Sequence, residues 1–162
     1  MKNIDFYSSV NLLAEERALE FLELRIEDFL GIGEIAKSIA ESRNLPIAVG
    51  VKKIDWFIFL VSLPGSTPEN HSWLERKARV VNLNHHSTLY ERVNADERGV
   101  DWFKDNNCSE LTHAIHGGGL PLITKNKGFV GSLLLSGLPH LEDHLLGVEV
   151  LTEFLARKRS LH

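Results

Sequence analysis

The chain of 162 residues carries 18 Lys and Arg against 22 Asp and Glu, a formal net charge of −4, with 43% hydrophobic and 25% charged residues. These proportions are those of an ordinary globular domain, so disordered and fibrous classes are excluded. The acidic balance, without a long basic stretch, also argues against nucleic acid as a partner, and no apolar run is long enough to span a membrane.

A domain of this size buries roughly 70% of the surface its unfolded chain exposes. One unit over residues 1–162 is therefore expected, with no disulfide or structural metal needed. The single cysteine, Cys108, cannot close an intramolecular disulfide, and the N-terminal MKNIDFYSSVNLL lacks the apolar core and cleavage site of a secretory leader. Both point to the cytoplasm.

In chain order, Val10, Leu13, Ala14, Ala18, Phe21 and Leu22 recur at helical spacing and predict an amphipathic helix over 9–24, with Ser8 or Ser9 as its cap. A short extended piece is expected over 25–29, followed by a second helix through Ile32, Ile35, Ala36, Ile39 and Ala40 that ends at Asn44 and Pro46. Residues 46–53 and the β-branched and aromatic run 56–63 read as an antiparallel hairpin, the latter suited to a central strand. Pro68 after Thr67 suits the first turn of a third helix. Past His86-Ser87 polarity rises, and 94–107 reads as short helix and loop. A second hairpin follows, with strands at 120–124 and 129–135 around Asn126-Lys127-Gly128. Pro139 opens a final helix with a broad apolar face, and the Arg157-Lys158-Arg159 cations favour its C-terminal end.

Several constellations carry chemistry in other settings. His116-Gly117-Gly118-Gly119 looks like an esterase oxyanion motif, but the chain has no G-x-S-x-G elbow to supply the nucleophile. Gly31-Ile32-Gly33-Glu34-Ile35-Ala36 matches a dinucleotide fingerprint, yet the preceding RIEDF is charged and short where a buried strand is required. His140 and His144 share a helix face at zinc-protease spacing, but Glu142 and Asp143 between them do not fill the place of the catalytic glutamate. Eight histidines keep a heme ligand in view, and Cys108 has no adjacent base. No metal site is expected.

Two blocks point further. The first supplies Leu63, Pro64, Gly65, Pro68, Asn70, Trp73, Arg76, Lys77, Val80 and Val81. The second supplies His116, Gly117, Gly118 and Pro121, then Ser136, Gly137, Leu138, Pro139, Glu142, Asp143 and His144. Together with the His86-Ser87 pair they resemble the bacterial and fungal heme-degrading-domain family, of the GlcG and HbpS type and related to the C-terminal domain of a corrinoid adenosyltransferase, over nearly the whole chain. In the family pattern Gly precedes the His-Ser pair, whereas here His85 does.

The resemblance implies an α/β (α+β) fold, a profilin-like three-layer α/β/α sandwich around a five-stranded antiparallel sheet, and a homo-oligomer. It implies heme or another tetrapyrrole as the ligand of a cytoplasmic small-ligand-binding domain. The expected ligand-binding residues are Arg76, Lys77, His86, His116, Gly117, Gly118, Ser136, Asp143 and His144. Arg76 or Lys77 would meet a propionate, and His116 or His86 would approach the iron. Two alternatives stand beside it: a non-catalytic oligomeric adaptor in which these motifs serve folding alone, and an enzyme acting on a small anionic metabolite with His116 as general base.

Overall fold

Hydrophobic alternation on two hairpins dictates the layers. In the computed structural model, which describes residues 7–160, strands β1 (Ala48–Lys53), β2 (Trp56–Ser62), β3 (Gly119–Thr124) and β4 (Gly128–Ser136) form an antiparallel sheet of order β2-β1-β4-β3. Helices α1 (Ser9–Ala18), α2 (Ile26–Ser42), α3 (Pro68–Asn84), α4 (Thr88–Arg98), α5 (Trp102–Asp105) and α6 (His140–Ser160) surround it. The leader reading of the first six residues lies outside the described part.

Because side chains alternate along a strand, Val49, Val51, Leu133 and Leu135 face α2 and α6, where Phe29, Ile32, Leu151 and Phe154 complete the main core. On the opposite face Ala48 and Leu134 pack against Leu74 and Ala78 of α3. The three layers are thus those expected of the α/β/α sandwich. Gly33 is the point where α2 approaches the sheet: a Cβ there would lie 2.3 Å from the ring of Phe59. The fingerprint-like glycine serves close packing.

Among the described residues the sheet has four strands, not five. The place beside β3 is taken by the link between α1 and α2, which pairs through Phe21 alone: its N–H donates to the Ile123 carbonyl at 3.0 Å, and its carbonyl accepts from the Lys125 N–H at 2.8 Å. Leu19 caps α1 and Arg25 caps α2, so too little chain remains between them for a ladder.

Three further expectations are corrected. The first helix stops at Ala18 rather than near residue 24, and residues 26–29 form the first turn of α2. The cause of the second is local: the Asp28 carboxylate accepts the Arg25 N–H at 2.7 Å and starts the helix. The run at 56–62 is also not the central strand expected: β2 lies at the sheet edge, with Trp56 and Leu60 exposed.

Candidate functional site

The site begins with α3. Pro68 occupies its first turn, and Thr67 and Asn70 close a reciprocal cap, the Asn70 side chain accepting the Thr67 N–H at 2.8 Å. From that fixed start, Asn70, Trp73 and Lys77 recur at three- and four-residue steps and so share one helix face. Arg76 lies over the Trp73 ring, its guanidinium carbon 3.9 Å from the ring centre.

Lys77 is 2% exposed and reaches past the glycine turn. Its ammonium donates to the Leu135 carbonyl at 2.7 Å and lies 3.4 Å from the Asp143 carboxylate, which is itself 2% exposed and accepts the Leu138 N–H at 3.2 Å. Burial pushes the Lys77 ammonium down and the Asp143 carboxyl up, and each charge opposes the shift of the other. The pair joins α3 to the start of α6.

The glycines make that reach possible. Gly118 has φ +124°, and a Cβ there would sit 2.4 Å from the Leu135 carbonyl oxygen and 2.7 Å from the Lys77 Nζ. At Gly117 a Cβ would meet the His140 carbonyl oxygen at 2.3 Å. Thr88, at the start of α4, accepts the Gly119 N–H at 3.1 Å and ties the turn to that helix.

Two imidazoles border the opening. The His116 ring meets Trp73 edge-on at 4.7 Å between centres and stands 5.8 Å from His140. Desolvation, then the charges of Arg92, His140, Lys77 and Arg76, push His116 down to about 4, so it is neutral at pH 7 although part of its ring meets solvent. His140 is also lowered, by burial and then by Arg92, Lys77 and His144. The Gly117 N–H approaches His140 Nδ1 at 3.4 Å, an arrangement that assigns the ring proton to Nε2.

Asn70, Trp73, Lys77, His116, Ser136, Gly137, Leu138, His140 and Asp143 line an open pocket of about 260 Å³. Of the residues singled out in the sequence, Lys77, His116, Ser136 and Asp143 therefore meet in one cavity, Gly117 and Gly118 form the turn beside it, and Arg76 adjoins it on Trp73. His86 and His144 stand elsewhere. His86 Nδ1 lies 2.8 Å from Glu16, and the fully buried His144 lies 2.7 Å from Glu15, each joining α1 to the body of the fold. Sequence reasoning did not assign Trp73 or His140 to the site, nor did it reveal the influence of Arg92 on the two imidazoles. Trp73 was visible as a motif residue four before Lys77, and His140 as the partner of His144, but nothing local marked Arg92.

Residues 24–152 match the family described as Haem degrading protein HbpS-like. The chain belongs to this family. A UPF0303 protein of Streptomyces avermitilis is 34% identical over 149 residues, covering 92% of this chain and 91% of that one. A UPF0303 protein of Rhizobium leguminosarum is 34% identical over 146 residues, covering 88% and 86%. Among solved structures, the Ybr137w protein has the same fold at TM-score 0.84 and 20% identity, covering 93% of this chain and 89% of that one. HbpS itself matches at TM-score 0.63 and 18% identity, over 82% and 90%. A PduOC:heme complex matches at 0.67 and 15%, over 80% and 93%. The HbpS-like blocks named above thus converge in space around the glycine turn.

Proposed function

We propose that this chain is a ligand-binding domain whose pocket between α3, the glycine turn and the start of α6 takes a carboxylate-bearing tetrapyrrole of the heme type. The observation that carries the reading is His116: a neutral imidazole at the mouth of a polar pocket, with Arg76 beside it. Family membership and the fold shared with a PduOC:heme complex support the ligand class.

The residues fit heme in chemistry. His116, deprotonated at neutral pH, has a lone pair free for iron, and the guanidinium of Arg76 suits a propionate. Heme would supply the redox and ligand-exchange chemistry of its iron. The pocket's volume of about 260 Å³ is below the usual range for enclosing a drug-sized ligand, so it admits part of a macrocycle and leaves the rest outside. His140, with its Nδ1 facing the Gly117 N–H, serves as a donor through Nε2.

The same feature weighs against His116 as general base, because an imidazole near 4 is a weak base at pH 7. Lys77, Asp143 and Gly118 also have a complete account in folding, which favours the adaptor reading at those three positions. Self-association belongs to the proposal too: among the described residues the outer edge of β2 has no strand beside it, and Trp56 and Leu60 are exposed on it.

Hemin titration of the apo-protein tests the reading. A Soret shift saturating at one equivalent, lost in His116→Ala with the far-UV circular dichroism unchanged, is expected. An absence of any saturable spectral change overturns it.

A further inference from the structure

The charge around the pocket does not balance. Three cations, Arg92, Lys77 and Arg76, act on His116 at its mouth, and two of them, Arg92 and Lys77, also act on His140. Among the described residues only one carboxylate, Asp143, lines the cavity, and it is matched by Lys77. Arg76 and Arg92 form no ion pair among the described residues, and the Nε of each is shut off from water without a hydrogen-bond acceptor.

Arg92 is held where it is by packing. Thr88, one helical turn before it on α4, accepts the Gly119 N–H, while Leu89 and Val93 pack against Leu141 at the start of α6. This places Arg92 on the face of α4 that looks toward the glycine turn and His140. Arg76 is held separately, over the Trp73 ring. Neither guanidinium forms an ion pair among the described residues, and both lie close enough to His116 to depress it, so together they leave positive charge unmatched beside the opening.

We infer that Arg92 is a second anion anchor and that the pocket selects a ligand bearing two negative charges, as a dicarboxylate or a phosphate group, divided between the guanidinium groups of Arg92 and Arg76. The inference rests on the reading of this pocket as a ligand site and adds its specificity. Two fixed forks accept a dianion and leave a monoanion with one arginine unsatisfied.

The test uses the arginine Nε–H resonances of the ¹⁵N-labelled protein, with succinate, inorganic phosphate and acetate as probes and hemin and hemin dimethyl ester as a second set. Succinate or phosphate should shift the Arg76 and Arg92 signals with a single shared Kd, and acetate should bind at least about tenfold more weakly. Arg92→Gln should reduce dianion affinity about tenfold or more and remove the difference from acetate. The substitution leaves no carboxylate behind without a partner, so the fold is retained; Arg92→Lys, which keeps the charge without the fork, should lie between.

Equal binding of succinate and acetate, or unchanged dianion affinity in Arg92→Gln, overturns the inference. A His116-dependent Soret shift indifferent both to Arg92→Gln and to esterification of hemin overturns it while sparing the heme reading. Succinate or phosphate binding through both arginines, with no hemin response, has the opposite result.

Discussion

His85 occupies the left-handed region, φ 62° and ψ 27°, as the C-cap of α3, which explains why the family pattern has glycine there. Its ring stacks on Phe129 at 4.1 Å and 8° between planes, a contact glycine cannot make. His85→Ala keeps the backbone strain and loses the stack, so chemical denaturation should show a loss of about 1 kcal/mol. His85→Gly relieves the strain as it loses the stack and should fall within about 0.5 kcal/mol of the parent. At His116 the sign of the pH effect is fixed by its depressed value of about 4. The unfolded imidazole, near 6.5, binds a proton first, so this residue's contribution to stability is present above 6.5 and is lost as pH falls toward 4. Arg92→Gln removes one of the charges that depress it. The His116 titration followed by NMR should then move upward; an unchanged midpoint would mean that Arg92 does not act on this ring.

Helix α1 buries only Leu12 among its own residues, so its attachment depends on polar contacts at its inner side. Glu16 meets His86 at 2.8 Å and accepts the Ser87 N–H at 2.8 Å, and Glu15 meets His144 at 2.7 Å. The hydrogen bond that the His86 ring donates to the Glu16 carboxylate, the largest influence on His86, raises its pKa. That pair therefore stabilises the fold fully below the unfolded value near 6.5 and loses its effect as pH rises through the higher folded value. Amide hydrogen exchange, corrected for intrinsic rate, should show α1 opening more readily on the alkaline side, and Glu16→Gln should remove that dependence. Elements with a strong local signal were legible from sequence: Pro68 at the start of α3, and the two hairpins with their alternating strands. The end of α1 was not, because Val10, Ala14, Ala18 and Leu22 keep helical spacing while facing solvent. The edge position of β2 was equally hidden, since Phe57, Ile58, Phe59 and Val61 make a run as apolar as a central strand while packing from a border. Helix α4 begins at Thr88 on the Ser87 cap, and its low hydrophobicity concealed both its extent and Arg92.

Across the whole molecule, the Lys77–Asp143 pair is the contact where α3, the end of β4 and the start of α6 meet. Removing one partner leaves the other charge buried, so Lys77→Met should cost about 3–5 kcal/mol in urea unfolding, and Lys77→Met with Asp143→Leu should recover much of that loss. A double variant no more stable than the single one would show that the pair contributes by specific geometry rather than by mutual neutralisation. The blocks that resembled the family converged because turns and close approaches fix them: Gly117 and Gly118 have no room for a side chain. Their distance along the chain hid which cations would be left over. The central pairing of the sheet joins Ala48 to Ser136, and the pocket draws on Asn70, His116 and His140. A ribosome-bound chain that has not yet released α6 has neither His140 nor Asp143 in position. The cavity is consequently complete only in the finished polypeptide, and a premature stop before His140 yields a product without it even where its first hairpin has formed.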